Sequence, residues 1–206
     1  KFLSHIREVD AIIHMIRCFD SDDIQNVNPT VDPVRDLEII ETEMKLADLE
    51  SIQKRLDKKN KKNVDIEELK LLEVAQKIID EDGDLKLITN EFDEKLLKSS
   101  GLLSTKPKLY VCNVDEESIK LGNKYTEDFI KKFDEKNTLV ISADIENQIN
   151  QLEDENEKKN YMKMINMSET GLNSLIRKGY ELLSLQTFFT SGPEETRAWT
   201  ITKQST

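Results

Sequence analysis

A glycine-rich phosphate loop is missing. The chain has six glycines in 206 residues, and none stands in G-x-x-x-x-G-K-[ST], the loop whose backbone N–H groups cradle phosphates. A triphosphate therefore has no such cradle in this sequence. Positive charge is also short: 30 Lys and Arg stand against 41 Asp and Glu, a net charge of −11. That balance excludes whole-chain attraction to nucleic acid, so any RNA contact has to come from a local basic patch. DNA is not an expected partner. Only two cysteines occur, Cys18 and Cys112. Both lie in apolar runs and read as buried free thiols of a reducing compartment rather than as a disulfide. No apolar stretch approaches the ~20 residues a membrane helix needs, and no signal peptide is visible, so no membrane partner is expected. His5 and His14 have no Cys, His or carboxylate partners at metal-ligand spacing. No Ser-His-Asp or Cys-His arrangement can be argued.

Three short runs look like strands buried on both faces: Ala11–Phe19 (AIIHMIRCF), Leu109–Val114 (LYVCNV) and Leu139–Ser142 (LVIS). Apolar runs separated by helical patterns predict a parallel α/β sheet. A helix over Asn123–Glu135 is expected between the second and third, with Tyr125, Phe129 and Phe133 on one face. The gap between the first two runs is too long for an ordinary crossover and holds a helical insertion. Asp32-Pro33 is a helix start. Leu37, Ile40, Met44 and Ala47, then Leu49, Ile52 and Leu56, form an apolar stripe with a phase shift, over a helix reaching about Lys59 and ~40 Å long. Asn63 can cap a second helix, with Ile66, Leu69, Leu72 and Ile79 as its apolar face and Asp82-Gly83-Asp84 as its stop. Two such helices and a short polar turn predict an antiparallel coiled-coil hairpin. A short return helix is expected over Phe92–Leu97, and further helices over Ile145–Leu152 and Leu172–Leu183. At Leu185 the texture changes to two β-rich runs around Ser191-Gly192-Pro193, the opening hairpin of another domain. The chain starts without Met and ends at "AWTITKQST", which gives the expectation of an internal piece of a longer protein.

Polar residues at strand ends carry the chemistry. In open α/β folds ligands bind at the carboxyl ends of strands, where Asn113-Val114-Asp115-Glu116 stands. The Asn113 amide can both donate and accept, so it can grip a purine edge and brace a neighbouring loop, whereas an ionised Glu116 only accepts. Ser142-Ala143-Asp144 ends the next strand. Each is a solvated turn if taken alone; two such loops on strands one helix apart reinforce each other. Asn166-Met167-Ser168-Glu169 also spells Asn-x-x-Glu, but no strand precedes it and Ser168 looks like a helix cap. Asn123-Lys124 lacks the Asp that a guanine-reading Asn-Lys-x-Asp needs, because Thr126 stands there. The run "KRLDKKNKK" packs the cations Lys54, Arg55, Lys58, Lys59, Lys61 and Lys62 into the expected hairpin tip, where they can touch phosphate backbone or simply form a solvated turn.

Several segments together resemble one family, the YchF/Obg-like nucleotide hydrolases of the translation-factor class of P-loop proteins. They are "FLSHIREVDAIIHMIRCF", "VDPVRDLEIIETEMKLADLES", "KPKLYVCNVDE" and "QTFFTSGPEETRAWTI". The resemblance implies a P-loop NTPase-type parallel sheet, partial in this chain, with an inserted antiparallel helical coiled-coil hairpin and the start of a β-grasp (TGS) domain. The implied parts are nucleotide-binding domain over 1–32, insertion over 33–104, nucleotide-binding domain again over 105–184, and the start of TGS over 185–206. Hydrolysis of ATP, GTP or both with Mg²⁺ is implied, with the phosphate loop and magnesium ligands upstream of Lys1 and this chain alone inactive. The implied base site is Asn113 and Glu116, with Val114 beneath the base and Ser142 and Ala143 closing the other side. Asp144 departs from the Lys that many relatives carry after Ser-Ala. In guanine-specific relatives a short Asp accepts from guanine N1–H and the exocyclic amine; Glu116 and Val114 imply that strict guanine selection is lost. A cytoplasmic setting and a ribosome or RNA partner, met by the hairpin and TGS face, are also implied. Two other readings stand beside this one: a GTP-specific GTPase of the same class, and a non-catalytic interaction module built on the hairpin.

Overall fold

The structure is a computed structural model describing residues 2–21, 24, 28, 30–57, 65–133 and 135–203. In chain order the elements are α1 (Phe2–Glu8), β1 (Ile12–Arg17), α2 (Pro33–Asp57), α3 (Ile66–Asp80), α4 (Glu94–Ser100), β2 (Lys108–Asn113), α5 (Ser118–Leu121) and α6 (Lys124–Lys132). They continue with β3 (Thr138–Ile141), α7 (Ala143–Gln151), α8 (Glu155–Met164), α9 (Gly171–Leu182), β4 (Leu185–Ser191) and β5 (Thr196–Thr202). The chain divides into two compact units, Lys1–Ile12 with Arg35–Pro107 and Ile13–Val34 with Lys108–Thr206.

The second unit holds a three-stranded sheet in the order β1-β2-β3. β2 and β3 pair parallel, from Tyr110 opposite Thr138 to Asn113 opposite Ile141. Cys18 N–H bonds Asn113 O at 2.8 Å just past the end of β1, as Ile12 N–H bonds Pro107 O at 2.9 Å at its start. Both strands therefore advance in the same direction, and all three carboxyl ends share one edge. Lys108 to Cys112 are buried without a break, as expected of a central parallel strand. β1 departs from the sequence expectation. His14 and Ile16 are buried while Ile13 and Met15 are 51% and 61% exposed, because only one face of β1 is covered by described residues.

α6 supplies the aromatic core. Asn123 accepts from the N–H groups of Tyr125 and Thr126, and Thr126 Oγ1 accepts from Asn123 N–H, closing a capping box. Asn123 Nδ2 also donates to Cys18 O at 2.7 Å, so this dismissed motif residue ties the helix start to the end of β1. Fully buried Phe129 meets Tyr110 edge-on at 5.7 Å and Phe133 at 4.7 Å, while His14 stacks on Tyr110 at 5.7 Å. Cys18 and Cys112 are free and buried. The hydrogen bond between the two thiols, then burial, pushes the Cys18 thiol far up. β4 and β5 form an antiparallel hairpin from Leu185 opposite Thr202 to Ser191 opposite Thr196.

Several helix details differ from the sequence expectation. Asp65, not Asn63, caps α3, accepting from Glu67 N–H at 3.0 Å; Asn63 lies outside the described residues. Ile66 is 81% exposed, and the buried face is Leu71, Leu72 and Ala75. α4 starts two residues later than Phe92, because Asp93 accepts from Lys95 N–H and Gly101, at φ 66, ends the helix. α8 falls between the helices expected over 145–152 and 172–183, where the hydrophobic pattern indicates none. Thr170, not Ser168, caps α9.

In the first unit the apparent phase shift of α2 has a physical cause. After Pro33 its buried positions are Leu37, Met44, Asp48 and Ile52, while Ile40 is 45% exposed. The last three follow an i, i+4, i+8 spacing that a hydrophobic pattern cannot show, because one member is a carboxylate. Asp48 accepts from Leu103 N–H and Ser104 N–H, both at 2.8 Å. Arg7 donates to Gly101 O and Arg55 to Ser100 O, each at 2.7 Å, and Arg55 also pairs with Glu68 of α3. Three polar side chains thus hold the 100–104 turn beside a core of Ile52, Leu71, Leu72, Ala75, Leu85, Ile88 and Leu102.

Burial pushes the Asp48 carboxyl above the usual carboxylate range, against the lowering effect of the two backbone N–H groups. The folded chain then keeps this proton to higher pH than the unfolded chain. Its stabilisation is complete below about pH 3.9 and is lost as pH rises through the folded value. Relative to Asp48→Asn, the wild-type stability advantage in urea unfolding should fall as pH rises above about 4. Asp48→Ala should cost about 2–4 kcal/mol at neutral pH, since it leaves two buried N–H groups without an acceptor.

Candidate nucleotide-base site

Parallel pairing alone sets the tips of β2 and β3 side by side, and three hydrogen bonds then fix them. Val114 N–H donates to Ile141 O at 2.9 Å, extending the ladder one residue past β2. Asn113 Oδ1 accepts from Ala143 N–H at 2.9 Å. That N–H has no intrahelical acceptor, because Ala143 opens α7 and the first helical bond runs from Glu146 N–H to Ser142 O at 3.0 Å. Asn113 thus satisfies a helix N-terminus from a neighbouring strand. Asn113 is half-buried at the end of β2, and its amide NH₂ meets no acceptor among the described residues.

The sequence-predicted residues therefore meet. Val114 is buried, Ser142 is buried in the turn between β3 and α7, and Ala143 is exposed. The Ser142 hydroxyl makes no side-chain cap bond and no hydrogen bond among the described residues. The Asp115 carboxylate accepts from Ser118 N–H at 2.8 Å, which turns the chain into α5. Glu116 is exposed and takes a hydrogen bond from Gln148 Nε2, and Gln148 Oε1 accepts one from the Tyr161 hydroxyl. Gln148 on α7 and Tyr161 on α8 were not legible in the sequence; no local pattern distinguishes them from other polar helix residues. α7 is held further along by Glu146, whose carboxylate accepts from Gly171 N–H at 2.6 Å and Leu172 N–H at 3.3 Å. A Cβ on Gly171 would stand 2.9 Å from Ile141 Cγ2, so glycine permits this close seat of α9 against β3.

The rim of the site is acidic. Asp115, Glu116, Glu117 and Asp144 are all exposed there. Four carboxylates disfavour phosphates and tolerate an uncharged base. Among the described residues no group of three or more His, Cys, Asp or Glu is placed to hold a metal. Of the basic run, Lys54 pairs with Glu50 on the exposed face of α2, and Arg55 is engaged by Ser100 and Glu68. Lys58, Lys59, Lys61 and Lys62 lie outside the described residues.

No family model matches the chain. Curated relatives do. A "Ribosome-binding ATPase YchF" of Haemophilus ducreyi is 39% identical over 209 residues, covering 98% of this chain and 57% of the relative. The protein of the same name from Bacillus subtilis is 37% identical over 214 residues, covering 98% and 58%. Among solved structures, that of the Schizosaccharomyces pombe YchF GTPase matches with a TM-score of 0.73 at 32% identity, over 99% of this chain and 58% of that one. The chain thus spans somewhat under three fifths of the length of the proteins it matches.

If Asn113 holds α7, Asn113→Ala should speed hydrogen exchange at the Ala143 amide about fivefold to tenfold, the loss of one bond worth about 1 kcal/mol. The β2–β3 ladder amides should keep their protection. An unchanged Ala143 rate would show that the side chain does not hold the helix start.

Proposed function

We propose, from the premise that this chain is YchF-like over nearly its whole length and shares the α/β fold of P-loop nucleotide hydrolases, that it forms the base-binding side of a ribosome-associated nucleoside triphosphatase. The observation carrying this reading is the bonded pair of strand tips, with an amide and a carboxylate at the shared carboxyl edge of the sheet. A purine ring at the two tips meets exposed Ala143, with Val114 and Ser142 buried beneath that surface, and polar groups on its edge. The Asn113 NH₂, left over after its oxygen has bonded Ala143, donates to a ring nitrogen or carbonyl. The acidic rim keeps the phosphates at the far end of the nucleotide.

ATP, with or without GTP, is the nucleotide this arrangement favours. The adenine edge offers an acceptor at N1 and no N–H there, so it gains nothing from an acceptor-only carboxylate. Hydrolysis itself is positioning and electrostatics. The magnesium that the resemblance implies finds no cluster of three or more His, Cys, Asp or Glu among the described residues. The relatives' printed names supply the ribosome as partner. The basic run Lys54–Lys62 has the composition that a phosphate backbone would require. A GTP-specific reading is favoured by one observation, the name of the S. pombe structure.

Calorimetry with ATP and GTP on the protein as its gene encodes it separates these. Asn113→Ala should weaken both nucleotides about tenfold or more, since it removes a base contact and frees α7. Glu116→Asp should tighten GTP relative to ATP by about threefold to tenfold, because the shorter acid resembles the one that accepts guanine's two N–H groups. An unchanged ratio in Glu116→Asp would sink this account of the carboxylate.

A further inference from the structure

Glu116 is exposed, and a carboxylate in that position is normally free to move in water. Here it is not. Gln148 Nε2 donates to Glu116 Oε1, and Tyr161 Oη–H donates to Gln148 Oε1. Both ends of the Gln148 amide are thereby engaged, so the side chain cannot turn over without losing both bonds. The chain of donors is directional, from hydroxyl to amide to carboxylate, and each bond polarises the next. Its base is firm: α7 is pinned at its start by Asn113 and one turn on by Glu146 on the N–H groups of Gly171 and Leu172. Gln148 and Tyr161 are themselves only half-exposed.

We infer that Gln148, backed by Tyr161, is the residue that sets base selectivity, by holding the Glu116 carboxylate against α7 and away from a guanine edge. Guanine presents two N–H donors side by side, at N1 and at the exocyclic amine, and pairing with them takes both carboxylate oxygens. One oxygen already accepts from Gln148. That bond turns the carboxylate toward α7, so a guanine would have to turn it back to meet both donors; an adenine, with a bare N1 and C2–H in place of those two donors and its amine at C6, makes no such demand. The preference for ATP then arises from the partner of the carboxylate and not only from the extra methylene of Glu over Asp. Gln148 and Tyr161 are positioning residues, acting through Glu116. This inference rests on the base-site reading of Asn113 and Glu116.

The test is the dissociation constant of ATP and of GTP for the wild type, Asn113→Ala, Gln148→Leu, Tyr161→Phe and the double variant Gln148→Leu/Glu116→Gln. Leucine keeps the bulk of Gln148 and removes its amide. Gln148→Leu should bind GTP about tenfold more tightly with ATP within about twofold of wild type, one freed charge-assisted bond. Tyr161→Phe should move the ratio the same way by about twofold to threefold, because it removes the outer bond and leaves the inner one. The double variant should lose the gain, since an amide in place of the Glu116 carboxylate no longer offers two acceptor oxygens. A merely structural role for Gln148 would weaken both nucleotides and tighten neither. Unchanged ratios in Gln148→Leu and Tyr161→Phe, or a GTP gain that survives in the double variant, would overturn the role of Gln148. If instead Asn113→Ala leaves ATP binding untouched, or the wild type binds neither nucleotide, the base-site reading fails and this inference with it.

Discussion

The hydrogen bond from Ala143 N–H to the side chain of Asn113 joins two pieces of backbone that parallel pairing only brings near. Parallel strands fix the ends of β2 and β3 at neighbouring positions, yet the backbone beyond each strand is free to leave in any direction. Asn113 removes that freedom for α7 by filling a vacancy that every helix start has. Val114 N–H on Ile141 O does the same for the segment after β2. Everything proposed for the base depends on these two bonds: the places of buried Val114 and exposed Ala143, and the reach of Glu116 to Gln148 on the same helix.

The same device recurs in the first unit with a different side chain. There the orphan groups belong to the 100–104 turn, and the partners are Asp48, Arg7 and Arg55 from helices distant in sequence. Asp48 is wholly buried, and a buried carboxylate is tolerated where it accepts from several donors. In both units a polar side chain completes backbone that regular structure leaves unpaired, and the apolar core packs around the result.

This division of labour decides how much the sequence disclosed. β2 was legible because its residues are apolar without interruption, and α6 because its aromatic residues recur at helical spacing. Asn113, Glu116, Ser142 and Ala143 stood out because they follow strand-like runs, and the family resemblance implied a base site for them and Val114. The polar ties were not legible, since hydropathy does not separate a working polar residue from a solvated one. Asp48 therefore looked like a break in the α2 stripe, Asn123 like a failed guanine motif, and Gln148 and Tyr161 like nothing at all. Cap positions were misplaced at Asn63 and Ser168 for a related reason: Asp65 and Thr170 are equally good caps close by, and only the packing of Leu71, Leu72 and Gly171 decides which turn begins the helix. The exposed face of β1 was missed because a run of apolar residues does not show which of its two faces another layer covers.

The claim beneath all of this is that the two strand tips act as one seat for one ring. Backbone amide resonances of Val114 and Ala143, followed by NMR while ATP is added to the protein as its gene encodes it, address that claim directly. The account predicts that both resonances move together and saturate at the same ATP concentration, while the amides of the β4–β5 hairpin stay in place. Saturable ATP binding that leaves Val114 and Ala143 unmoved would contradict it.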